Sequence, residues 1–303
     1  MNNFIEYVKD NLLGKVKENI SLKTLTTYKT GGIVKVLFIP KDVNSLKEAL
    51  HFLKDNKINY KIFGNGSNIL ASDNTYNGVI IKLNNLNNLE IKNDTLEVEA
   101  GYNLSVLCNK MCKDGYLGFS FGCGIPGTVG GSIYMNAGAY LEQISDYLDK
   151  VLVLDEALNF KYLTKEEMNF SYRHSIFQEK KYLILKAYFR LEKGNREEIL
   201  SLIKRRKERR YETQPLDFPS AGSVFRNPKD KYAGKLIEDL GLKGKEKGGA
   251  KISDKHANFI VNNNDATSSD ILYLMKLVQK EVKDKYNIDL HREQELFNFE
   301  DEE

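Results

Sequence analysis

The chain has 303 residues, of which 41% are hydrophobic and 29% charged, and a net charge of +3. That balance suits an ordinary soluble protein of two or three domains with a sizeable core. It gives no reason to invoke nucleic acid or a membrane surface. No apolar run approaches the roughly 20 residues of a spanning helix. The opening residues, MNNFIEYVKDNLLGKV, carry acids and lack the apolar stretch of a signal peptide.

Taken in chain order, Thr30-Gly31-Gly32 precedes an apolar run, Ile33 to Ile39, that predicts a strand. Leu46, Ala49, Leu50 and Leu53 recur at helical spacing within 44–56, and a second strand-like run follows at 58–63. Together they predict a β-α-β unit. It runs into GNGSNIL (64–70), where Gly64, Asn65, Gly66, Ser67 and Asn68 can turn N–H groups toward an anion, with Ser67 and Asn68 as side-chain donors. Asn at 65 tolerates a left-handed backbone better than other residues with side chains. The pattern is neither GxGxxG nor GxxxxGK[ST], so neither a Rossmann fingerprint nor a P-loop is indicated.

GVIIKL (78–83) and LEVEAG (96–101) read as strands, and residues 103–114 as a helix bearing Leu104, Leu107 and Met111 on one side, with Gly115 beyond its end. Cys108 and Cys112, four apart on that helix, read as core, and no CxxC occurs. Reduced thiols without an export signal indicate the cytoplasm. Residues 122–140, GCGIPGTVGGSIYMNAGAY, are too rich in glycine for a helix or strand. They make either a tight buried chain crossing or a loop that presses N–H groups against a polyanion. Thr128, Ser132 and Asn136 add donors, and the second glycine cluster at 64–68 favours the anion loop.

VLVLD and FKYL predict a hairpin, Thr164-Lys165-Glu166-Glu167 a capping box for a short helix, and 182–191 a strand. Asn195 and Glu198 open a helix that runs into KRRKERR (204–210), read as a solvated face at a domain junction rather than a nucleic-acid patch. The last third predicts a helix at 232–240 closed by Gly241, and a capped helix from Ser268 with Ile271, Met275, Val278 and Val282 on its apolar face. A short strand near 288–297 and a frayed acidic tail, FEDEE, end the chain. His51, His174, His256 and His291 show no metal spacing, and no metal is expected.

The ordered segments YKTGG (28–32), GNGSNIL (64–70), GIPGTVGGSIYMNAGAY (124–140), SYRHSIF (171–177), PSAGSVFRNP (219–228) and HANFIVN (256–262) resemble the UDP-N-acetylenolpyruvoylglucosamine reductase family, MurB, from about Tyr28 to Glu293. The resemblance implies an α+β flavoprotein. Two parts of the vanillyl-alcohol-oxidase type, 1–83 and 84–194, would clasp FAD, and a third, 195–303, would carry the substrate. It also implies FAD held without a covalent link, consistent with the lack of His or Cys in GNGSN, and NADPH as reductant. The substrate implied is a UDP-linked amino sugar of peptidoglycan precursor synthesis. No nucleic-acid, membrane or protein partner is indicated.

The residues implied to contact FAD are Gly64, Asn65, Gly66, Ser67, Asn68, Gly124, Ile125, Pro126, Gly127, Thr128, Gly130, Gly131, Asn136 and Gly138. The catalytic residues implied are Arg173, which follows Tyr in its motif, the proton donor Ser223, and Glu293. Asn227 would bind substrate. The family's terminal pattern is roughly Leu-Glu-x-Glu-Val-Arg. Here Leu290 and Glu293 fall in register, with His291 at the first Glu and Gln294 at the Val; a shift of two would select Glu295 instead. Only 50 residues separate Arg173 from Ser223, so the chain is of the shorter type without an inserted tyrosine-bearing lid. Two other readings stand beside this one: an oxidase on the same flavin scaffold, and a nucleic-acid binder using 204–210.

Overall fold

A computed structural model describes residues 1–299; the FEDEE tail expected to fray lies outside the described residues apart from Phe299. The first elements are α1 (Asn2–Asp10), β1 (Gly14–Ser21), β2 (Ile33–Pro40), α2 (Val43–Asp55), β3 (Tyr60–Phe63), β4 (Ile69–Ala71) and β5 (Tyr76–Lys82). There follow β6 (Leu89–Lys92), β7 (Thr95–Glu99), α3 (Leu104–Lys113), α4 (Val129–Tyr134), β8 (Gly138–Ala139), β9 (Glu142–Gln143), β10 (Leu148–Leu154), β11 (Phe160–Thr164) and β12 (Leu183–Arg190). The remainder are α5 (Arg196–Thr213), α6 (Ala233–Asp239), β13 (Glu246–Lys247), β14 (Ala250–Ile252), β15 (Ile260–Asn262), α7 (Ser268–Tyr286) and β16 (Glu295–Phe297).

These elements form two compact units, each drawn from several stretches of chain. The first comprises 1–18, 36–65 and 78–208. Its core gathers Phe38 of β2, Leu46 and Leu50 of α2, Ile81 of β5, Leu107 and Met111 of α3, and Val151 and Ala187 of β10 and β12. In α2, Asp42 accepts the N–H of Ser45 at 2.7 Å, and Leu46, Ala49, Leu50 and Leu53 are buried as their spacing requires. Asn103 caps α3 in the same way, accepting from Val106. Cys108 and Cys112 are buried on it.

The predicted β-α-β unit is present with a difference. Its two strands belong to one sheet, ordered β1-β2-β5-β3, so β5 lies between them, and β3 pairs with it in parallel. A second sheet is ordered β11-β10-β12-β7-β6 and is antiparallel throughout. It contains the predicted hairpin. The capping box at Thr164 forms both reciprocal hydrogen bonds with Glu167, yet a turn follows instead of a helix. Met168 is drawn into the core there and Asn169 takes a positive φ, which ends the helical path after one turn.

The second unit comprises 19–35, 66–77 and 209–303. The apolar face of α7 (Ile271, Met275, Val278, Val282) packs with Tyr28, Leu70, Phe225 and Ile252 in its core. A Thr267–Asp270 capping box starts α7, and Asn287 in the left-handed region stops it. The terminal strand is shorter than expected. Only Glu295–Phe297 is regular, paired in parallel with β4. Among the described residues no helix is long and apolar enough to cross a membrane.

Candidate active site

In the first unit the two glycine-rich loops touch. The Asn65 side chain donates to the carbonyl of Pro126 at 3.0 Å. A β-carbon at Gly64 would lie 2.7 Å from Thr128 Oγ1, so only glycine lets the chains approach this closely. Thr128 caps α4 by accepting the N–H of Gly131 at 3.2 Å. Gly130, the second residue of α4, donates its N–H to the carbonyl of Ala100. Gly127 and Thr128 are buried, and among the described residues their main-chain N–H groups meet no acceptor. Buried N–H groups rarely stay unpaired, so this junction suits an anionic group. Gly124 and Ile125 are partly exposed and Pro126 exposed beside it.

Asn136 is fully buried and its side chain serves the fold. It donates to Gln143 Oε1 and to the Ser171 carbonyl, and it accepts from the N–H of Ser145. Its own carbonyl and that of Gly138 face Arg173, whose guanidinium donates to Gly138 O at 2.8 Å and Asn136 O at 3.5 Å. Arg173 is on a tight turn: Ser171 and His174 exchange main-chain hydrogen bonds across it. Its φ is +56°, a region that costs a residue with a β-carbon about 1 kcal/mol or more. Gln178 holds the turn by donating to the carbonyls of Arg173 and Tyr134, and Tyr172 lies against the guanidinium at 5.2 Å. A partly buried Gln contributing to neither periodicity nor a motif gave no sequence signal.

In the second unit, Gly66 and Ser67 continue the 64–68 loop. Asn68 spends its side chain on the carbonyl of Glu293, at 3.0 Å. Ser223 is half-buried, between bends at Gly222 and Val224. Beyond it, Val224 donates to Asn258 O, Phe225 exchanges hydrogen bonds with the Asn258 side chain, and Arg226 donates to His291 O. Glu293 donates its N–H to Val224 O at 2.8 Å, so the structure brings Ser223 and Glu293 onto adjoining chains. A bend at Glu293–Gln294 interrupts the strand, and simple alternation therefore does not relate Glu293 to Glu295. Glu295 lines a hollow of about 590 Å³ with Arg226, Gln279, His291 and Arg292. Asn227 is exposed and accepts the N–H of Ala233 at the start of α6. His256 is partly buried, which holds its imidazole below the ordinary range, and its Nδ1 accepts from the N–H of Asn258.

The basic run is partly structural. Arg206 reaches Glu142 at 2.6 Å and Ser120 at 2.7 Å and stacks on Tyr140, while Lys207 donates to Asn109.

Residues 34–157, which hold both glycine-rich loops, match the family described as FAD binding domain, and this places the chain in a class of flavin-binding proteins. Residues 214–297 match UDP-N-acetylenolpyruvoylglucosamine reductase, C-terminal domain. The chain is 46% identical over 91% of its length to the UDP-N-acetylenolpyruvoylglucosamine reductase of Caldanaerobacter subterraneus subsp. tengcongensis, covering 92% of that protein. It is 44% identical to the one of Bacillus licheniformis, covering 98% of both chains. It superposes on the crystal structure of UDP-N-acetylenolpyruvylglucosamine reductase (MurB) from Thermus caldophilus with a TM-score of 0.81 at 31% identity, over 94% of this chain and 99% of that one. The chain belongs to the UDP-N-acetylenolpyruvoylglucosamine reductase family.

Proposed function

We propose that this protein is an NADPH-dependent FAD enzyme that reduces the enolpyruvyl group of UDP-N-acetylenolpyruvoylglucosamine, giving UDP-N-acetylmuramate for peptidoglycan. One observation carries this reading: a relative named for that substrate aligns over 98% of both chains, at 44% identity.

The residues present fit the cofactor. The unused N–H groups of Gly127 and Thr128 would hold its phosphates, with the 64–68 loop alongside and no covalent link. When bound, FAD supplies the hydride, drawn from NADPH, that goes to C3 of the enolpyruvyl group. Arg173 holds the substrate carboxylate through a planar fork that stays charged, where electron density gathers during reduction. The carbonyls of Gly138 and Asn136 aim that guanidinium. Ser223 gives its hydroxyl proton to C2, since a carbanion-like centre needs a placed donor more than a strong acid. Glu293, bonded through its main chain to the residue after Ser223, completes the catalytic set, and Asn227 binds substrate. By this reading 1–83 and 84–194 clasp FAD and 195–303 carries the nucleotide. Three unpaired buried thiols support a cytoplasmic setting.

Absorbance of both half-reactions tests the proposal. The protein should be yellow, NADPH should bleach it, and substrate should restore the band without oxygen. Recovery in air alone, with no effect of substrate, would indicate an oxidase. Ser223→Ala should bleach at the normal rate and recover ~10²-fold more slowly, the usual share of a positioned acid.

A further inference from the structure

Three successive carbonyls, of Ala221, Gly222 and Ser223, converge on one atom. Gln294 Nε2 lies 3.1, 3.1 and 3.4 Å from their oxygens, on a side chain only 3% exposed. Only the nitrogen end of an amide can serve carbonyls, so chemistry fixes which way this amide points. Its Oε1 then accepts from Tyr28 OH at 2.9 Å. Tyr28 is fully buried, and burial pushes its phenol above the ordinary range, which keeps it a donor.

Converging carbonyls repel one another and cost free energy when buried without a donor. Gly222 has a φ of +77° with open space where a β-carbon would go, so glycine is needed for its backbone conformation rather than for room. From Val224 onward the segment is held by Asn258, His291 and Glu293. Ser223 is therefore the junction between a segment held by main-chain pairing and a turn held by one side chain. Gln294 also follows Glu293 directly at the bend.

We propose that Gln294, braced by Tyr28, is a positioning residue that fixes the 221–223 turn and so sets how Ser223 presents its hydroxyl. The inference rests on the reading of Ser223 as proton donor. A leucine at 294 fills the space but donates nothing. The turn would relax, and the proton would be delivered from a poorer angle. Reduction by NADPH precedes that step and does not involve the turn.

Gln294→Leu, Tyr28→Phe, Ser223→Ala and the double variant Ser223→Ala/Gln294→Leu test this in the FAD-loaded enzyme. In Gln294→Leu, flavin reduction should stay within about two-fold and reoxidation by substrate should slow about ten-fold, since small misplacements of a reacting group carry losses of this order. Hydrogen exchange at the 222–224 amides should quicken. Tyr28→Phe should produce a smaller loss in the same half-reaction. Against a Ser223→Ala background, Gln294→Leu should add less than about two-fold, because residues acting through one group are not additive. Unchanged reoxidation in Ser223→Ala would remove the reading of Ser223 and this proposal with it. Slowed reoxidation in Ser223→Ala but not in Gln294→Leu, or a full additional loss in the double variant, would overturn the proposal alone. If Gln294→Leu does not fold, Tyr28→Phe decides, and normal reoxidation with normal exchange there overturns it.

Discussion

The main-chain N–H of Glu293 donates to the carbonyl of Val224 at 2.8 Å, one residue beyond Ser223. Glu295 is held elsewhere: its N–H donates to Asn68 O at 2.9 Å, and it pairs with Ile69. Glu293→Gln should therefore lower turnover at least about ten-fold, a modest share of what acid–base groups contribute. Glu295→Gln should change it by less than about two-fold. Steady-state kinetics on the two variants decides, and the reverse order would place the catalytic carboxyl two residues later.

Arg173→Lys should reduce turnover by about two orders of magnitude, the loss expected for one preorganised charged contact. Lysine keeps the charge but cannot present a planar fork to a carboxylate while also meeting Gly138 and Asn136. Near-normal turnover would assign Arg173 to the turn's architecture instead of the chemistry.

All the flavin should leave the protein on acid precipitation. Cys123 is the thiol within the glycine-rich stretch, and it is only 6% exposed, with Sγ 4.0 Å from Cys112 Sγ and 3.7 Å from the Phe119 carbonyl. Its sulfur faces the core. Colour remaining in the pellet, at the mass of a peptide containing Cys123, would contradict this.

Arg206→Ala should destabilise the protein by about 2 kcal/mol, below the 3–5 kcal/mol of a fully buried pair because the two side chains are 14% and 28% exposed. Arg209→Ala, on an exposed position of the same helix, should stay within about 0.5 kcal/mol. Urea unfolding of both compares them directly. Equal effects would mean that the contacts of Arg206 with Ser120 and Glu142 contribute nothing special.

Helices α2, α3 and α7 were legible because their buried residues recur at helical spacing: Leu46 to Leu53, Leu104 to Met111, and Ile271 to Val282. Helix α4 was not: it forms within the glycine-rich stretch 122–140, read as too rich in glycine for a helix, because Thr128 caps it and Val129, Ser132 and Ile133 are buried. Strands β1 and β6 are among those that left no such signal. GKVKENIS of β1 and LEIK of β6 lie at sheet edges and are largely exposed, so the apolar alternation that marks a strand is missing. The glycine loops stood out by their density of glycine, and AGSVFRNP through its resemblance to the family. Gln294 and Gln178 did not, because an amide of this kind is recognised by the carbonyls it meets, and most of these come from elsewhere in the chain. The bend at Glu293–Gln294 has the same origin: Gln294 is pulled toward 221–223 instead of following the strand.

The second unit takes residues 19–35 and 66–77 from early in the chain and 209–303 from late in it. During synthesis Tyr28 must wait, unpartnered, for Gln294, and β4 for β16. Pairing across more than 200 residues makes this a late and slow event in folding. A fragment starting at Arg209 would carry the whole matched stretch 214–297 and still lack the strand and the tyrosine that its last residues need. The boundary that sequence comparison draws here is one of ancestry, and a nascent or truncated chain cannot use it as a boundary of folding.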